Sequence, residues 1–408
     1  MKKLVALLAV STALSSGIQV HAQDEKLEVF NQKREMQAVL QEIVDDFNKE
    51  NGTKVELVTV PDAGNVLKTR MANGDAPDVI NIYPQNMDFQ LWAKDGQFVD
   101  LTEQEFLSKL KPGSAEQYAV DNKIYNLPLT TNAWGFFYNV DKFKELGLEV
   151  PKTWDEFEKL VATIKEKGET PFAGSFSTAD SWSLNGYHQL AWATVAGGFD
   201  GANDYLRHSE QGAIKGDDEK LQAVAKRLRL LTGSAQKNAN GASYADAIAT
   251  FAKGEALIMP QGIWALPAIN EQKPGFKVAS FPFPGEKEGE EMTVGAADLA
   301  FSVSESSKNK ELALKFLDYL SNEDVLRKYY KVDGMPTSLT ALENESGFEE
   351  TKGVTDLAFT EKQIVWLQKE WDSEEGFWHL TTDFINDDSA TPDVLAQYLN
   401  NFFDPMKH

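Results

Sequence analysis

Residues 27–60 narrow the fold more than any other part of the chain. Leu27-Glu28-Val29-Phe30 has the character of a short strand, and the polar run Asn31-Gln32-Lys33-Arg34 follows it. Met36, Val39, Leu40, Ile43, Val44 and Phe47 then recur at spacings of three, one, three, one and three, which is one buried stripe of an amphipathic helix. Asn51-Gly52 stops that helix, and Val55-Glu56-Leu57-Val58-Thr59-Val60 is a second strand. Two strands joined through a helix by short links must run parallel, so the chain has to build an α/β fold around a parallel sheet.

A second unit repeats the pattern. Residues 66–71 are helical, Gly74 ends them, and Asp78-Val79-Ile80-Asn81-Ile82-Tyr83 is an apolar strand. Ligands of open parallel sheets sit beyond the carboxyl ends of the strands, here 31–34 and 81–85. Both ends carry polar and aromatic groups instead of the glycine-rich turn that cradles a phosphate, which argues against a nucleotide. Farther along, 125–139 and 294–303 read as extended crossovers, and Asp333-Gly334-Met335-Pro336-Thr337 breaks the pattern a third time. Thr153 and Glu156 have the spacing of a capping box, with Glu156 expected to reach back to the Thr153 N–H. Residues 181–254 read as mostly helical, broken at Gly197-Gly198 and near 238–241; 277–281 reads as a strand, 310–330 as one helix, and the rest as helical and polar.

Charge and composition remove whole classes of function. A net charge of −23 disfavours nucleic acid and adhesion to anionic lipid, both of which need basic patches. There is no cysteine, so disulfides, thiol nucleophiles, thiolate zinc sites and thiol-linked lipids are excluded. The five histidines are scattered, and neither a metal nor a cofactor is expected. Lys2 and Lys3 followed by an apolar run from Leu4 to Leu14 read as a secretory leader, with a cleavage site at Val20-His21-Ala22. Its removal would leave residues 23–408 with a charge of −25, soluble outside the cytoplasm, periplasmic or secreted; an uncleaved N-terminal anchor is the alternative. At 408 residues the chain has room for one large domain or two ordinary ones, and its nine tryptophans are the sort of ring that recurs at binding surfaces.

Six motifs stand in a telling order. They are Ala76-Pro77-Asp78-Val79; Tyr138-Asn139; Phe143-x3-Gly147-x3-Pro151-x-Thr153-Trp154-Asp155-Glu156-Phe157; Phe251-x3-Glu255-Ala256-Leu257-x-Met259-x2-Gly262-x-Trp264; Gly295-Ala296-x-Asp298; and Gly334-x-Pro336-Thr337. Across essentially the whole chain beyond the leader this resembles the extracellular solute-binding proteins of ABC importers, in the family that takes up sugars and oligosaccharides. Phe30-Asn31-Gln32-Lys33 and Asn81-Ile82-Tyr83-Pro84 look like the branch that binds raffinose-type α-galactosides and isomaltose-type α-glucosides. The resemblance implies a two-lobe periplasmic-binding-protein-like fold of type II with three hinge crossings, near 127–131, 294–298 and 331–336. It also implies lobes of 23–129 plus 297–331 and of 130–296 plus 332–408. A membrane permease is the implied partner, and a monomer the expected state. Gram-positive relatives commonly hold a lipid on a cysteine after the leader, which this sequence cannot do.

A sugar offers hydroxyls at its edge and C–H groups on its faces, so its site needs flat rings and planar polar groups together. The rings expected to stack are Trp182, in a polar loop, and the late cluster Phe377, Trp378 and His379. Trp264 is also a candidate; its relatives turn this ring toward the cleft or pack it behind the wall, and Gly262 beside it leaves room for something. For the polar edge the candidates are Lys33, Asn81 and Asp298, followed by Asn132 and Gln363. Lys33 read plainly is a solvated charge, and Asp298 a carboxylate that caps a hinge. Two rival functions stay open at this point. One is a secreted glycoside hydrolase, which needs two carboxyls at a set separation; the other is a binding protein for a solute such as a polyamine.

Overall fold

β1 (Lys26–Asn31) and β2 (Lys54–Thr59) pair in parallel, with Lys26 opposite Lys54 and Asn31 opposite Thr59. The helix Gln37–Asn51 is their crossover, and it buries Val39, Leu40, Ile43, Val44 and Phe47 as the periodicity requires. The chain is described by a computed structural model covering residues 26–343, 345 and 347–407; the expected leader, 1–22, lies outside the described residues. The further strands are β3 (Val79–Asn81), β4 (Leu127–Pro128), β5 (Trp134–Asn139), β6 (Ile258–Gly262), β7 (Val278–Phe281), β8 (Thr293–Val294), β9 (Ala300–Val303) and β10 (Gln363–Ile364).

One sheet has the order β2-β1-β3-β9-β4, parallel across its first three strands and antiparallel where β9 meets β3 and β4. Side chains alternate across it. Leu27, Val29 and Val79 enter one core with the helix Gln37–Asn51, while Phe30 and Ile80 enter another with Leu67 and Phe89. Both faces are thus covered, as a parallel sheet demands. The second lobe is built on β6-β5-β7, antiparallel, with the parallel pair β8-β10 beside it. Trp134 and Phe136 of β5 face the large core of this lobe, and Phe137 faces a smaller core on the other side.

Three extended segments run side by side where the lobes join. The Leu129 N–H donates to the Leu299 carbonyl at 2.8 Å, and the Asn132 N–H to that of Ala296 at 2.9 Å. On the other side, the Thr131 N–H donates to Pro336 and the Ser338 N–H to Leu129, each at 2.9 Å. Packing is tight: a Cβ on Gly295 would stand 1.9 Å from the Asn132 carbonyl oxygen. Beyond this strip Leu339 and Leu342 return to the core of the first lobe before Val354 packs against the second.

Three local expectations need amending. The stretch read as one helix over 310–330 is two, Lys310–Leu320 and Glu323–Asp333, because the Asn322 side chain accepts the Asp324 N–H and starts a new helix. Thr153 does cap its helix by accepting the Glu156 N–H, but the Glu156 carboxylate reaches the Lys152 N–H at 2.8 Å, one residue before the expected donor. The polar tail also contributes a strand, β10, where only helix was expected.

Candidate functional site

The antiparallel placement of β9 decides where polar groups gather. β1 and β3 end at Asn31 and Asn81, and β9 begins at that same edge, so Lys33, Tyr83 and Asp298 come from three different strands to one end of the sheet. The Lys33 ammonium is buried and donates to the Asp298 carboxylate. The other Asp298 oxygen accepts from the Asn132 side-chain amide at 3.1 Å. The Asn132 carbonyl accepts from Gln363 at 2.8 Å. Four of the ten residues singled out in the sequence therefore form one continuous hydrogen-bonded chain along the lobe junction.

Electrostatics here are set by burial against pairing. Burial alone would push the Lys33 ammonium down, but Asp298, Tyr329, Asp333 and Glu35 outweigh it and hold the group well above the ordinary lysine value. Asp333 is pushed up to about 7 by burial, with Lys33 pulling the other way and Asp298 and Glu35 adding to the rise. One of its carboxylate oxygens is buried without a hydrogen-bond partner among the described residues. Tyr83 is likewise raised by burial and by Asp298, against Lys33, with Glu35 and Glu374 contributing.

Tyr83 leads into a cavity of about 420 Å³ between the lobes. The first lobe contributes Gln32, Lys68, Asp88 and Trp92 to its walls, and the second contributes Asp372, Glu374, Glu375 and Trp378. Hydrogen bonds join the two lobes at and near it. The Asn86 amide donates to Glu374 at 3.1 Å, Gln90 to the Lys369 carbonyl at 3.2 Å, and Lys369 to the Gln117 carbonyl at 2.9 Å. Gln368 donates to the second oxygen of Glu374 from its own lobe. Burial pushes the Glu374 carboxyl up to about 7; Lys68 and the Gln368 hydrogen bond oppose the rise, while Asp88 and Glu375 add to it. Lys68 itself lies 3.0 Å from Asp88.

The aromatic candidates separate. Trp378 lines the cavity, and its indole N–H is buried without an acceptor among the described residues. Phe377, one residue earlier, is 0 % exposed and packed between His188 and Trp371, each ring centroid 4.5 Å away. It has no face left for a ligand. His379 is exposed and 4.0 Å from Glu375, outside the residues that line the cavity. Trp264 folds back on its own strand end. A Cβ on Gly262 would come within 2.0 Å of that ring, so the room left by Gly262 is taken by Trp264 itself. The ring packs against Ala133, Ile263, Met335 and Val354 instead of lining the cavity. Trp182 sits edge-on to Tyr244 at 5.0 Å and donates to Asp180. Like Trp264 and His379, Trp182 and Tyr244 are outside the residues that line the cavity, although burial and Glu35 raise the Tyr244 phenol against Lys33 of the first lobe. Asn81 is wholly committed within the sheet: its amide donates to the Ala300 carbonyl, and its oxygen accepts the Gln32 N–H.

Sequence reasoning passed over Tyr83, Glu374, Lys68 and Asp88. For Tyr83 the signal was present, since the strand-end run Asn81-Ile82-Tyr83-Pro84 contains it and alternation sends Tyr83 to the same side as Asn81. For the other three no local pattern distinguishes them from the many acidic and basic residues on helix surfaces. Among the described residues no group of three or more histidines or carboxylates is placed to hold a metal ion.

Comparison with known proteins places this geometry in context. The model of the bacterial extracellular solute-binding proteins matches residues 31–326. The multiple sugar-binding protein of Streptococcus mutans is 47 % identical over 407 residues, 99 % of this chain and 96 % of that protein. The galactooligosaccharide-binding protein of Bacillus subtilis is 24 % identical over 361 residues, 86 % of this chain and 82 % of that protein. Among solved structures, RafE in complex with raffinose superposes with a TM-score of 0.89 at 48 % identity, covering 94 % of this chain and all (100 %) of that one. The apo form of RafE from Streptococcus pneumoniae superposes with a TM-score of 0.84 at 48 % identity, covering 94 % and 98 %.

Proposed function

We propose, from the premise that this chain belongs to the bacterial extracellular solute-binding protein family, that its interlobe cleft receives an oligosaccharide and hands it to an ABC importer. The fold is the two-lobe periplasmic-binding-protein-like α/β architecture, and the site of action is outside the cytoplasm. A raffinose-type α-galactoside or an isomaltose-type α-glucoside is the proposed ligand, supported by relatives near half identity that are a multiple sugar-binding protein and a raffinose complex.

One observation carries the reading. The cavity joins stacking rings to hydrogen-bonding groups, and it is closed by contacts such as Asn86 to Glu374 that reach from one lobe to the other. The better superposition on ligand-bound than on apo RafE supports a closed conformation. Sugar would dock on one lobe while the cleft is open. Contacts from the second lobe form only on closure, so ligand shifts the population toward the closed form. The ligand-contacting rings we propose are Tyr83 and Trp378 on the cavity wall, with Trp182 off it, while the buried Lys33–Asp298 pair supports the polar edge. Asn132 and Gln363 hold that edge and the hinge strip, where 129–133, 295–299 and 334–339 run together.

Binding without cleavage belongs to the same proposal. Glu374, with its raised pKa, is the carboxyl best suited to a hydrolase acid, but both its oxygens accept from amides as a strut between lobes. Removal of the leader, action as a monomer and docking on a membrane permease complete the reading. Calorimetry with raffinose and isomaltotriose, followed by assay of the mixture for free monosaccharide, tests it. Micromolar-range binding, about −8 kcal/mol, with no monosaccharide is expected. Released monosaccharide would overturn the carrier in favour of a hydrolase.

A further inference from the structure

The six charged side chains that line the cleft are Asp62, Lys68, Asp88, Asp372, Glu374 and Glu375, five carboxylates against one ammonium. That ammonium is already taken, 3.0 Å from Asp88 and under the influence of Glu374 and Glu375. No arginine is among the lining residues, so the planar fork that pairs with a carboxylate guest is missing from the wall. The nearby buried Lys33 is spent on Asp298. Lys68, the one cation among the lining residues, and the nearby Lys33 therefore each have an anion within the protein, while Lys369, outside the lining, donates to the Gln117 carbonyl.

From this we infer that the cleft sorts saccharides by charge, admitting neutral ones and rejecting those that carry a carboxylate. The inference rests on the reading of this cleft as the sugar site. A neutral hydroxyl can donate to any of the five carboxylates. A uronate in the same position would be desolvated beside like charges with no unpaired cation among the lining residues to meet it, the costliest arrangement for a buried ion. The charge crowding is visible in the protein itself, since Asp88 and Glu375 both add to the rise of the Glu374 carboxyl.

The test compares three ligands by calorimetry at pH 7.5. They are raffinose, raffinose oxidised at the galactosyl C6 to the uronate, and the corresponding uronamide, which has the shape of the uronate without its charge. Uronate binding about 100-fold weaker than uronamide binding is expected. In the double variant Asp372→Asn with Glu375→Gln, that ratio should fall by roughly tenfold. Uronate and uronamide binding within threefold of each other would overturn the inference, as would a ratio unmoved by the double variant. Absence of binding by all three ligands would remove the functional reading and the inference together, whereas tight raffinose binding with equal uronate binding removes the inference alone.

Discussion

Phe377 and Trp378 show what a residue-scale reading can and cannot see. Both are aromatic and adjacent, yet the helix Glu374–Asn386 rotates one into the core and the other to the cleft. Composition flags such a cluster, but only tertiary packing decides which ring is spent. Trp378 keeps an N–H without an acceptor among the described residues, which suits a sugar hydroxyl. Trp378→Phe should weaken raffinose binding about fivefold, the worth of one hydrogen bond. Trp378→Ala should weaken it roughly 100-fold by also removing the stacking surface; equal losses for the two in calorimetry would mean the N–H does nothing. Lys33 and Asp298 were legible as strand-end polar groups, but their burial and their pairing across 265 residues were not. The same ionic cluster contains Asp333, whose carboxyl stands at about 7, above the ordinary value of about 4 that it regains on unfolding. Folding therefore takes up a proton. Its contribution is full below pH 4 and drains away as pH rises from 4 through 7. Asp333→Asn should accordingly be more stable than the parent at pH 8, by roughly 1–3 kcal/mol, with the advantage shrinking toward pH 5. Urea titrations at the two pH values check this, and a variant weaker than the parent at pH 8 would show that Asp333 serves as a needed counter-ion to Lys33.

Elements were more legible than residues, because periodicity survives where partners are unknown. The βαβ unit at the start follows from spacing alone, and β1 and β2 pair as that spacing demands. What spacing cannot give is an antiparallel strand inserted from afar. β9, some 220 residues after β3, brings Asp298 to the edge where β1 and β3 end. Nor does a continuous apolar stripe reveal a break, which is how the two helices at Lys310–Leu320 and Glu323–Asp333 read as one. The lobe junction is the element whose tolerance is lowest. Gly295→Ala drives a methyl into the Asn132 carbonyl, and the chain from Asp298 to Gln363 runs through that residue. Destabilisation by about 2 kcal/mol is expected, with weaker sugar binding alongside. Gly241→Ala is the control, because nothing lies within 4 Å of its added carbon, and it should change stability by about 0.5 kcal/mol or less. Matching melting temperatures for the two variants would mean the junction yields more readily than its contacts indicate.

At the scale of the whole molecule the two lobes meet through residues as much as 288 positions apart, as in the bond from Asn86 to Glu374, and no local pattern in the sequence foretells such a pair. Closure nonetheless has a chemical consequence that can be worked out. In the closed form the Glu374 carboxyl is buried, with Asn86, Lys68 and Asp88 facing it from one lobe and Gln368 and Glu375 from the other, and it titrates near 7. Opening exposes that carboxyl to water and returns it toward the ordinary range near 4.3. Because the closed state holds the proton more tightly, protonation favours closure, and ligand that binds the closed state is bound more tightly as pH falls through 7. One proton is coupled, so affinity should rise about tenfold between pH 8 and pH 6 and level off near pH 4 to 5. Glu374→Gln keeps the shape, needs one of the two partner amides to turn its oxygen toward the new NH2, and cannot titrate; its raffinose affinity should be nearly flat over the same range. Calorimetry on both proteins across that range decides the matter. A parent affinity that is flat, or that falls on acidification, would show that Glu374 stays equally solvated whether the cleft is open or shut.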